Sequence, residues 1–409
     1  MKKVYFSGLF LSLVISLSSC ESMEQKVAKI HNDAFTIDTH VDTPYQLLDK
    51  DFDISISHPF ANGGTCVDFP RMKEGGLDGI FFAAFTSQRE RTDENILAAR
   101  CKANELIDST YAACHKHSNL AEVALSVEDG YRIEKEGKRA VFIGLENGFP
   151  IGKDILEVER YFNLGVRYIT LCHTSNNDIC DSSTDKNGAE FNGLSSFGEK
   201  VVPEMNDLGI LIDVSHISDS SFFDVLKLSK TPVIASHSCA RAVCNNPRNL
   251  TDEMLKALAK NGGVIQMCIL DDYVKAPDTT TIAYRKELEL RARYRNAGKM
   301  SKEEEEKLWG EWRQMHIDYP KDKPTVADAV DHIDHIVNLV GIEHVGIGTD
   351  FDGGGGLKDC ADVSQMMNIT KELVKRNYSE EDICKIWGGN FMRVFKDVET
   401  YAKSKKIAG

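Results

Sequence analysis

Six short apolar runs in this chain end in a histidine or a carboxylate. The first reads Ile37-Asp38-Thr39-His40-Val41-Asp42, and a second closes on Gly144-Leu145-Glu146-Asn147-Gly148. Others end at His173, at Asp213-Val214-Ser215-His216 and at Ser236-His237. The last is Gly348-Thr349-Asp350-Phe351-Asp352-Gly353. Residues two apart on a strand face the same way, so His40 and Asp42 can bind one cation together. One strand-end histidine is more often a core or capping residue than a ligand. Six polar ends are hard to explain by packing, because each buried polar group needs a partner. Three imidazoles and two carboxylates of this kind suit Zn²⁺, a borderline ion that takes nitrogen and oxygen ligands. Five ligands are too many for one tetrahedral site that keeps an open position. Two ions sharing one carboxylate solve the count, and a water bridging them becomes a nucleophile at neutral pH. Asp350 suits the role of proton shuttle.

The fold must bring these ends together. Eight β-branched or apolar runs alternate with helical periods, at 35–38, 79–82, 140–143, 168–171, 210–213, 232–235, 263–266 and 345–348. Continuous apolar runs suit strands buried on both faces, as in a parallel sheet. Eight of them alternating with helices predict an α/β fold, a (β/α)8 TIM-type barrel, whose strand ends converge on one face. A doubly wound open sheet is the alternative, but no glycine-rich dinucleotide fingerprint follows the first run. Two stretches exceed the minimal barrel. Asn95–His117 reads as one helix. Thr281–His316 reads as a long charged helical insertion between strands 7 and 8, a solvated helix with scope for partial lid duty.

A content of 42% hydrophobic and 27% charged residues excludes a disordered chain, a collagen and a multispanning membrane protein. The net charge of −14, without a basic block, argues against nucleic acid as a partner. Lys2 and Lys3 precede an apolar stretch, 4–17, shorter than the ~20 residues a spanning helix needs. It ends in Leu17-Ser18-Ser19-Cys20, which resembles a bacterial lipoprotein processing site with Cys20 as the lipidated residue. More than one acyl chain gives stable anchoring. The expected division is a signal peptide at 1–19, a membrane-proximal tether at 20–30 and a single barrel at 31–409. The mature protein is then a soluble domain lipid-anchored to a bacterial envelope membrane, facing periplasm or exterior, with a homodimer left open. Of the eleven cysteines, Cys172 and Cys268 lie in apolar runs as small hydrophobes. No pair has zinc-finger spacing. Pairing among Cys172, Cys180, Cys239 and Cys244 is open.

Seven pieces stand in an order that resembles the membrane (renal-type) dipeptidases, within the amidohydrolase-like metal-dependent barrels. They are Asp38–Asp42, Glu146 between glycines, Cys172-His173-Thr174-Ser175-Asn176, Asp213–His216, Ser236-His237-Ser238, Pro247-Arg248-Asn249 and Ile347–Gly353. The resemblance runs from about Asp38 to Trp387-Gly388-Gly389-Asn390, nearly the whole mature chain. It implies a zinc-dependent dipeptidase with two Zn²⁺ per chain, acting on free dipeptides with either configuration at the C-terminal residue. It implies that His40 and Asp42 bind the first zinc, that Glu146 bridges both, and that His216 and His237 complete the second. His173 would contact substrate and the oxyanion of the tetrahedral intermediate. Arg248 would hold the dipeptide's C-terminal carboxylate in its planar fork. Asp350, also against the substrate, would take a proton from the bridging water and deliver it to the leaving amine. Ser175 stands where animal relatives carry a cysteine, so their disulfide pattern does not transfer.

The family match leaves Asp352 outside the catalytic set. Asp331-His332 and Asp334-His335 lie in a helical period and read as structural residues of an exterior helix. His31, His58, His115, His117, His316 and His344 have no partner pattern and read as surface or capping residues. Glu74-Gly75-Gly76 reads as a helix end. One rival function is another amidohydrolase reaction, such as a lactonase or deaminase; Arg248 argues against it, since a carboxylate clamp fits a peptide terminus. The other is a surface-binding lipoprotein that lost its chemistry. It would be expected to lack a ligand or Asp350, and none is missing.

Overall fold

A computed structural model describes residues 22–60, 64–296, 302–319 and 322–408. Each of the eight runs holds a strand. The strands are β1 (Ile37–Val41), β2 (Gly79–Phe85), β3 (Ala121–Val123), β4 (Arg139–Glu146), β5 (Val166–Thr170), β6 (Leu211–Asp213), β7 (Ile234–Ser238), β8 (Val264–Met267) and β9 (Val345–Ile347). The additional short strand, β3, pairs with β4 off the main path. The rest run parallel in the order β1-β2-β4-β5-β6-β7-β8-β9. The ring closes just past the ends of β9 and β1. Asp350 N–H donates to the His40 carbonyl at 3.0 Å, and Asp42 N–H donates to the Phe351 carbonyl at 2.9 Å. An open doubly wound sheet has no such closure, so the architecture is that of a (β/α)8 barrel.

Alternation along the strands builds two cores. Ala140 and Phe142 of β4 join Ile37, Phe81, Tyr168, Leu211, Ile234 and Val264 inside the barrel. Val141, Ile143 and Leu145 point the other way, into the larger core under the helices. Phe391 and Phe395, from the C-terminal helix Asn390–Ala408, plug the interior at the strand N-termini. There Asn390 Nδ2 donates to the Val345 carbonyl at 2.9 Å. Glu146 shares the phase of Ala140 and Phe142, so it points into the barrel at the opposite, open mouth.

The helix expected at 95–117 spans Asp93–Lys116, capped by the Thr92 side chain. Helices Ile282–Asn296 and Lys302–Asp318 stand between β8 and β9. Leu290, Leu308 and Met315 make a small core of their own between them. Helix Met23–Asp33 buries Val27, Ile30 and His31. The packed domain therefore reaches back into the segment read as a tether. Residues 1–21, with the leader and Cys20, lie outside the described residues. Among the described residues no helix is long and apolar enough to cross a membrane, and all the cysteines are free thiols.

His31 corrects the surface reading, because it is fully buried. Its Nδ1 sits 2.7 Å from Thr370 Oγ1 and its Nε2 2.8 Å from the Gly75 carbonyl. His332 is a structural residue of the exterior helix Val326–Val340, as read. Ala240 N–H donates to its Nδ1 at 3.1 Å, and its Nε2 meets the Val274 carbonyl at 2.9 Å. His335 pairs with Asp252 at 2.8 Å.

Candidate metal centre

Simple alternation delivers Glu146 to the mouth, but His40 and His237 arrive by another route. Ile37 and Ile234 face the barrel interior, so strict alternation would send both histidines toward the helices. The β1–β2 pairing slips between Asp38 and Val41, and the β7–β8 pairing slips between Ala235 and Ser238. Bulges of this kind re-aim a side chain. The two imidazoles then meet inside the mouth with ring centroids 3.8 Å apart and planes tilted by 34°. Asp42 lies one residue past β1, where the chain turns into Thr43–Leu48. It meets His40 at 3.8 Å, Oδ2 to Nε2, through a bulge and a turn rather than through two-residue alternation. His216 and Asp350 sit on turns in the left-handed region, at φ 71° and 63°. Such backbone is uncommon outside glycine and recurs where function requires it.

Glu146 stands at the centre of the group. Its Oε2 lies 3.4 Å from His40 Nε2. Its Oε1 lies 3.2 Å from His216 Nε2 and 3.6 Å from both His237 Nε2 and His173 Nε2. His216 and His237 approach each other at 2.8 Å, Nε2 to Nε2. Asp350 joins His40 and Asp42 in a cluster whose ligand atoms lie within 4.8 Å. A Cβ on Gly353 would collide with the carboxylates of Asp42 and Asp350, so only glycine leaves room for both. His173, expected at the substrate, is also within ligand reach of the centre.

These residues fit a metal. His40 Nε2 and Asp42 Oδ1 are buried without a hydrogen-bond partner. An unsatisfied buried polar atom costs about 1–3 kcal/mol, and a cation between them removes that cost. Imidazole and carboxylate donors together suit zinc-class ions.

A second layer fixes the imidazoles. Ser236 Oγ donates to Asp213 Oδ2 at 2.7 Å, so it accepts from His237 Nδ1–H at 2.9 Å. That relay leaves a bare lone pair on His237 Nε2, facing the centre. Asp213 is itself saturated by Thr170 Oγ1 at 2.6 Å and by the N–H groups of Ser215 and Ser236 at 3.0 and 2.8 Å. His40 Nδ1 lies 2.8 Å from the Tyr168 hydroxyl. Gly144 makes room for that ring, since a Cβ there would collide with it. Sequence reasoning misses Tyr168 as a support. The available signal is a tyrosine inside a run buried on both faces, where the hydroxyl must find a partner.

Burial disfavours charge throughout the mouth, and neighbouring charges decide where it settles. At His40 burial is outweighed by the carboxylates of Glu146, Asp42 and Asp350, and the pKa is raised to about 10. Burial pushes His216 and His237 well below the usual imidazole range, assisted by positive neighbours including Arg248. Burial also lowers His173, to about 4, against the pull of Glu146. Glu146 is held well below the carboxylate range despite its burial, by His40, His173 and His216. Asp350 is raised to about 7 by burial and Glu146, against His40 and Arg248.

Arg248 is buried and forms no ion pair among the described residues. One Nη donates to the His237 carbonyl at 3.2 Å, and the guanidinium lies 5.1 Å from the Tyr273 ring centroid. Its Nε has no hydrogen-bond partner. Asp352 is engaged elsewhere. It accepts from Cys66 N–H at 2.6 Å and from Thr43 Oγ1 at 2.8 Å, which ties the loop after β1 to the loop after β9.

The family model described as membrane dipeptidase (peptidase family M19) matches residues 24–408. An uncharacterized dipeptidase of Schizosaccharomyces pombe is 30% identical over 407 residues, which covers 95% of this chain and 86% of that protein. The crystal structure of the probable dipeptidase PvdM from Pseudomonas aeruginosa is 29% identical with a TM-score of 0.81, covering 93% of this chain and 99% of its own. A metallo peptidase from Rhodobacter sphaeroides, solved with a phosphinate mimic of the dipeptide L-Ala-D-Ala, shares the fold. It is 21% identical with a TM-score of 0.70 and covers 89% of this chain and 99% of its own.

Proposed function

The chain belongs to the membrane dipeptidase family, and from that premise we propose that it hydrolyses free dipeptides with two zinc ions per chain. It is a metallo-dipeptidase, a hydrolase. One ion would be held by His40, Asp42 and Glu146, the other by Glu146, His216 and His237. The observation that carries this reading is the Glu146 carboxylate, which turns Oε2 to His40 and Oε1 to His216 and His237. When bound, the ions would supply Lewis acidity toward the scissile carbonyl and would lower the pKa of a water to about 7.

The chain's own residues do the rest. Tyr168 and the Ser236–Asp213 relay hold His40 and His237 in orientation. Arg248 takes the C-terminal carboxylate of the dipeptide, a planar bidentate partner for a buried guanidinium that has none. Lactones and nucleobases lack that terminus. The dipeptide mimic bound in the Rhodobacter sphaeroides structure supports such a substrate. His173, with the Phe85 ring behind it at 4.6 Å, meets the carbonyl oxygen as charge develops there. Asp350 accepts a proton from the attacking water and passes it to the amine nitrogen as the C–N bond breaks. Two free amino acids leave. On the leader sequence alone, lipidation at Cys20 places this activity at the cell envelope, facing periplasm or exterior.

The test is a panel of free dipeptides, of both C-terminal configurations, and their C-terminal amides, run on zinc-loaded protein with and without chelator. Two zincs per chain, chelator-sensitive hydrolysis and poor turnover of the amides are expected. Full activity with one ion per chain would sink the binuclear reading. Equal turnover of acids and amides would remove Arg248 from the clamp.

A further inference from the structure

We infer that the cleft beside His173 receives the N-terminal side chain of the dipeptide and favours hydrogen-bonding side chains over aliphatic ones. The inference rests on the orientation proposed above, with the substrate carboxylate on Arg248. The cleft has a volume of about 670 Å³ and opens between the segments 88–91, 175–176 and 185–190. Two of its walls are tied to residues of the centre. Ser175 and Asn176 follow His173 almost directly. Gln88 Oε1 accepts from Nδ2 of Asn147, the neighbour of Glu146, at 3.3 Å.

Strand order gives the direction. Segment 88–91 follows β2 and the other two follow β5, so the cleft is centred over β4, the strand between them. Arg248 leans on the His237 carbonyl of β7 and on Tyr273, just past β8. In the order β1-β2-β4-β5-β6-β7-β8-β9, β8 stands four places from β4, directly across an eight-membered ring. Guanidinium and cleft therefore face each other across the mouth. A dipeptide with its carboxylate on Arg248 and its scissile carbonyl over Glu146 must send its N-terminal residue toward the cleft.

The cleft walls carry two sets of polar groups. One set holds the loops together. Arg91 pairs with Glu190 at 2.7 Å, and Asp185 accepts from Asn176 N–H at 2.7 Å. The other set is Arg89, Glu90, Ser175 and Asn187, whose side chains make no hydrogen bond or ion pair among the described residues. Arg89 and Glu90 put a cation next to an anion, so the free set offers donors and acceptors with little net charge. An aliphatic side chain laid there covers polar groups without pairing them, which is unfavourable. A carboxamide, ammonium or carboxylate pairs with them.

The experiment measures kcat/KM on zinc-loaded full-length protein for Gln-Ala, Glu-Ala, Lys-Ala and Leu-Ala, then repeats it with Arg89→Glu and Glu90→Lys. The unmodified enzyme should prefer the three polar substrates to Leu-Ala. Arg89→Glu should raise the Lys-Ala to Glu-Ala ratio about two- to fivefold, and Glu90→Lys should lower it as much, the scale of an exposed ion pair. Both shifts should shrink in high salt. The reversed pair, Ala-Lys against Ala-Glu, should be indifferent to both variants. A preference for Leu-Ala, ratios unmoved by either variant, or a response confined to the reversed pair would each overturn the inference while leaving the dipeptidase reading intact. Failure to hydrolyse any free dipeptide would instead bring down that reading, and this inference with it.

Discussion

Among the described residues, buried histidines occur in two settings, one under the helices and one in the barrel mouth. Under the helices each ring is finished. Trp387 Nε1–H donates to Thr370 Oγ1 at 2.7 Å, and Thr370 O–H donates to His31 Nδ1 at 2.7 Å. His31 Nε2–H then donates to the Gly75 carbonyl at 2.8 Å. His332 is likewise satisfied at both nitrogens. In the mouth the outer nitrogens of His40 and His237 are held, by Tyr168 and Ser236. Their inner nitrogens converge on Glu146, and His40 Nε2 has no hydrogen-bond partner. Carboxylates divide the same way. Asp38 takes Thr349 N–H at 2.9 Å and His40 N–H at 3.2 Å, whereas Asp42 Oδ1 has no partner. Burial of a polar residue is therefore no mark of a site. Half-satisfied residues aimed at one centre are, because packing alone completes its hydrogen bonds.

Replacing Asp350 tests that division hardest. If Asp350 only caps a strand end, as Asp38 does, Asp350→Asn should be nearly silent in turnover. As the proton carrier it should cost ~10²-fold or more in kcat, the scale of positioned acid–base catalysis. Zinc content should stay at two per chain and dipeptide binding should persist. Loss of zinc would instead make Asp350 a ligand, which its place in the cluster with His40 and Asp42 allows. Near-normal turnover would pass the proton to another group.

Ser236→Ala acts one layer further out. It deletes the acceptor for His237 Nδ1–H and one donor to Asp213. Loss of such an outer partner typically costs 10- to 100-fold in metal affinity. One of the two ions should leave first on dialysis, and excess zinc should restore turnover. Ser236→Thr, which keeps the hydroxyl, should rescue the affinity. Unchanged zinc affinity in Ser236→Ala would mean that His237 needs no orienting partner.

Much of this arrangement was legible from the chain. The eight strands announce themselves as apolar runs, and the polar residues that end them announce the mouth. What local pattern cannot show is anything that depends on pairing. The bulges in β1 and β7 exist only as register slips against neighbours, so alternation accounts for the meeting of His40 and Asp42 by the wrong geometry. β3 is three residues long with a glutamate at its centre and has no apolar run to betray it. His31 lies in the last turn of the polar helix Met23–Asp33 and reads as a surface or capping residue. Its burial comes from Thr370, 339 residues away. The cleft beside His173 joins loops after β2 and β5 that share no motif.

His31 also supplies the smallest test, on the finished side of the comparison. Burial holds its pKa below the usual imidazole value of 6.5, against the pull of the Gly75 and Gly76 carbonyls. The unfolded chain therefore takes up this proton at a higher pH than the folded one. By linkage, the stabilising contribution is full above about pH 6.5 and is lost as pH falls from there toward the folded pKa, at about 1.4 kcal/mol for each unit between the two. Urea unfolding of the unmodified protein should thus show falling stability between pH 7 and pH 5. His31→Gln, an amide that can still donate to the Gly75 carbonyl, should be less stable at pH 7 by about 1–3 kcal/mol, from imperfect pairing of buried groups. Its stability should fall less steeply with acid, so the two curves converge. His332 is shifted in the same direction by burial, so part of the slope should remain. Measuring both proteins at one saturating zinc concentration cancels the acid sensitivity of the mouth. Curves that stay parallel from pH 7 to pH 5 would show that His31 titrates alike in both states, and that its finished hydrogen bonds leave it no more sensitive to pH than an exposed imidazole.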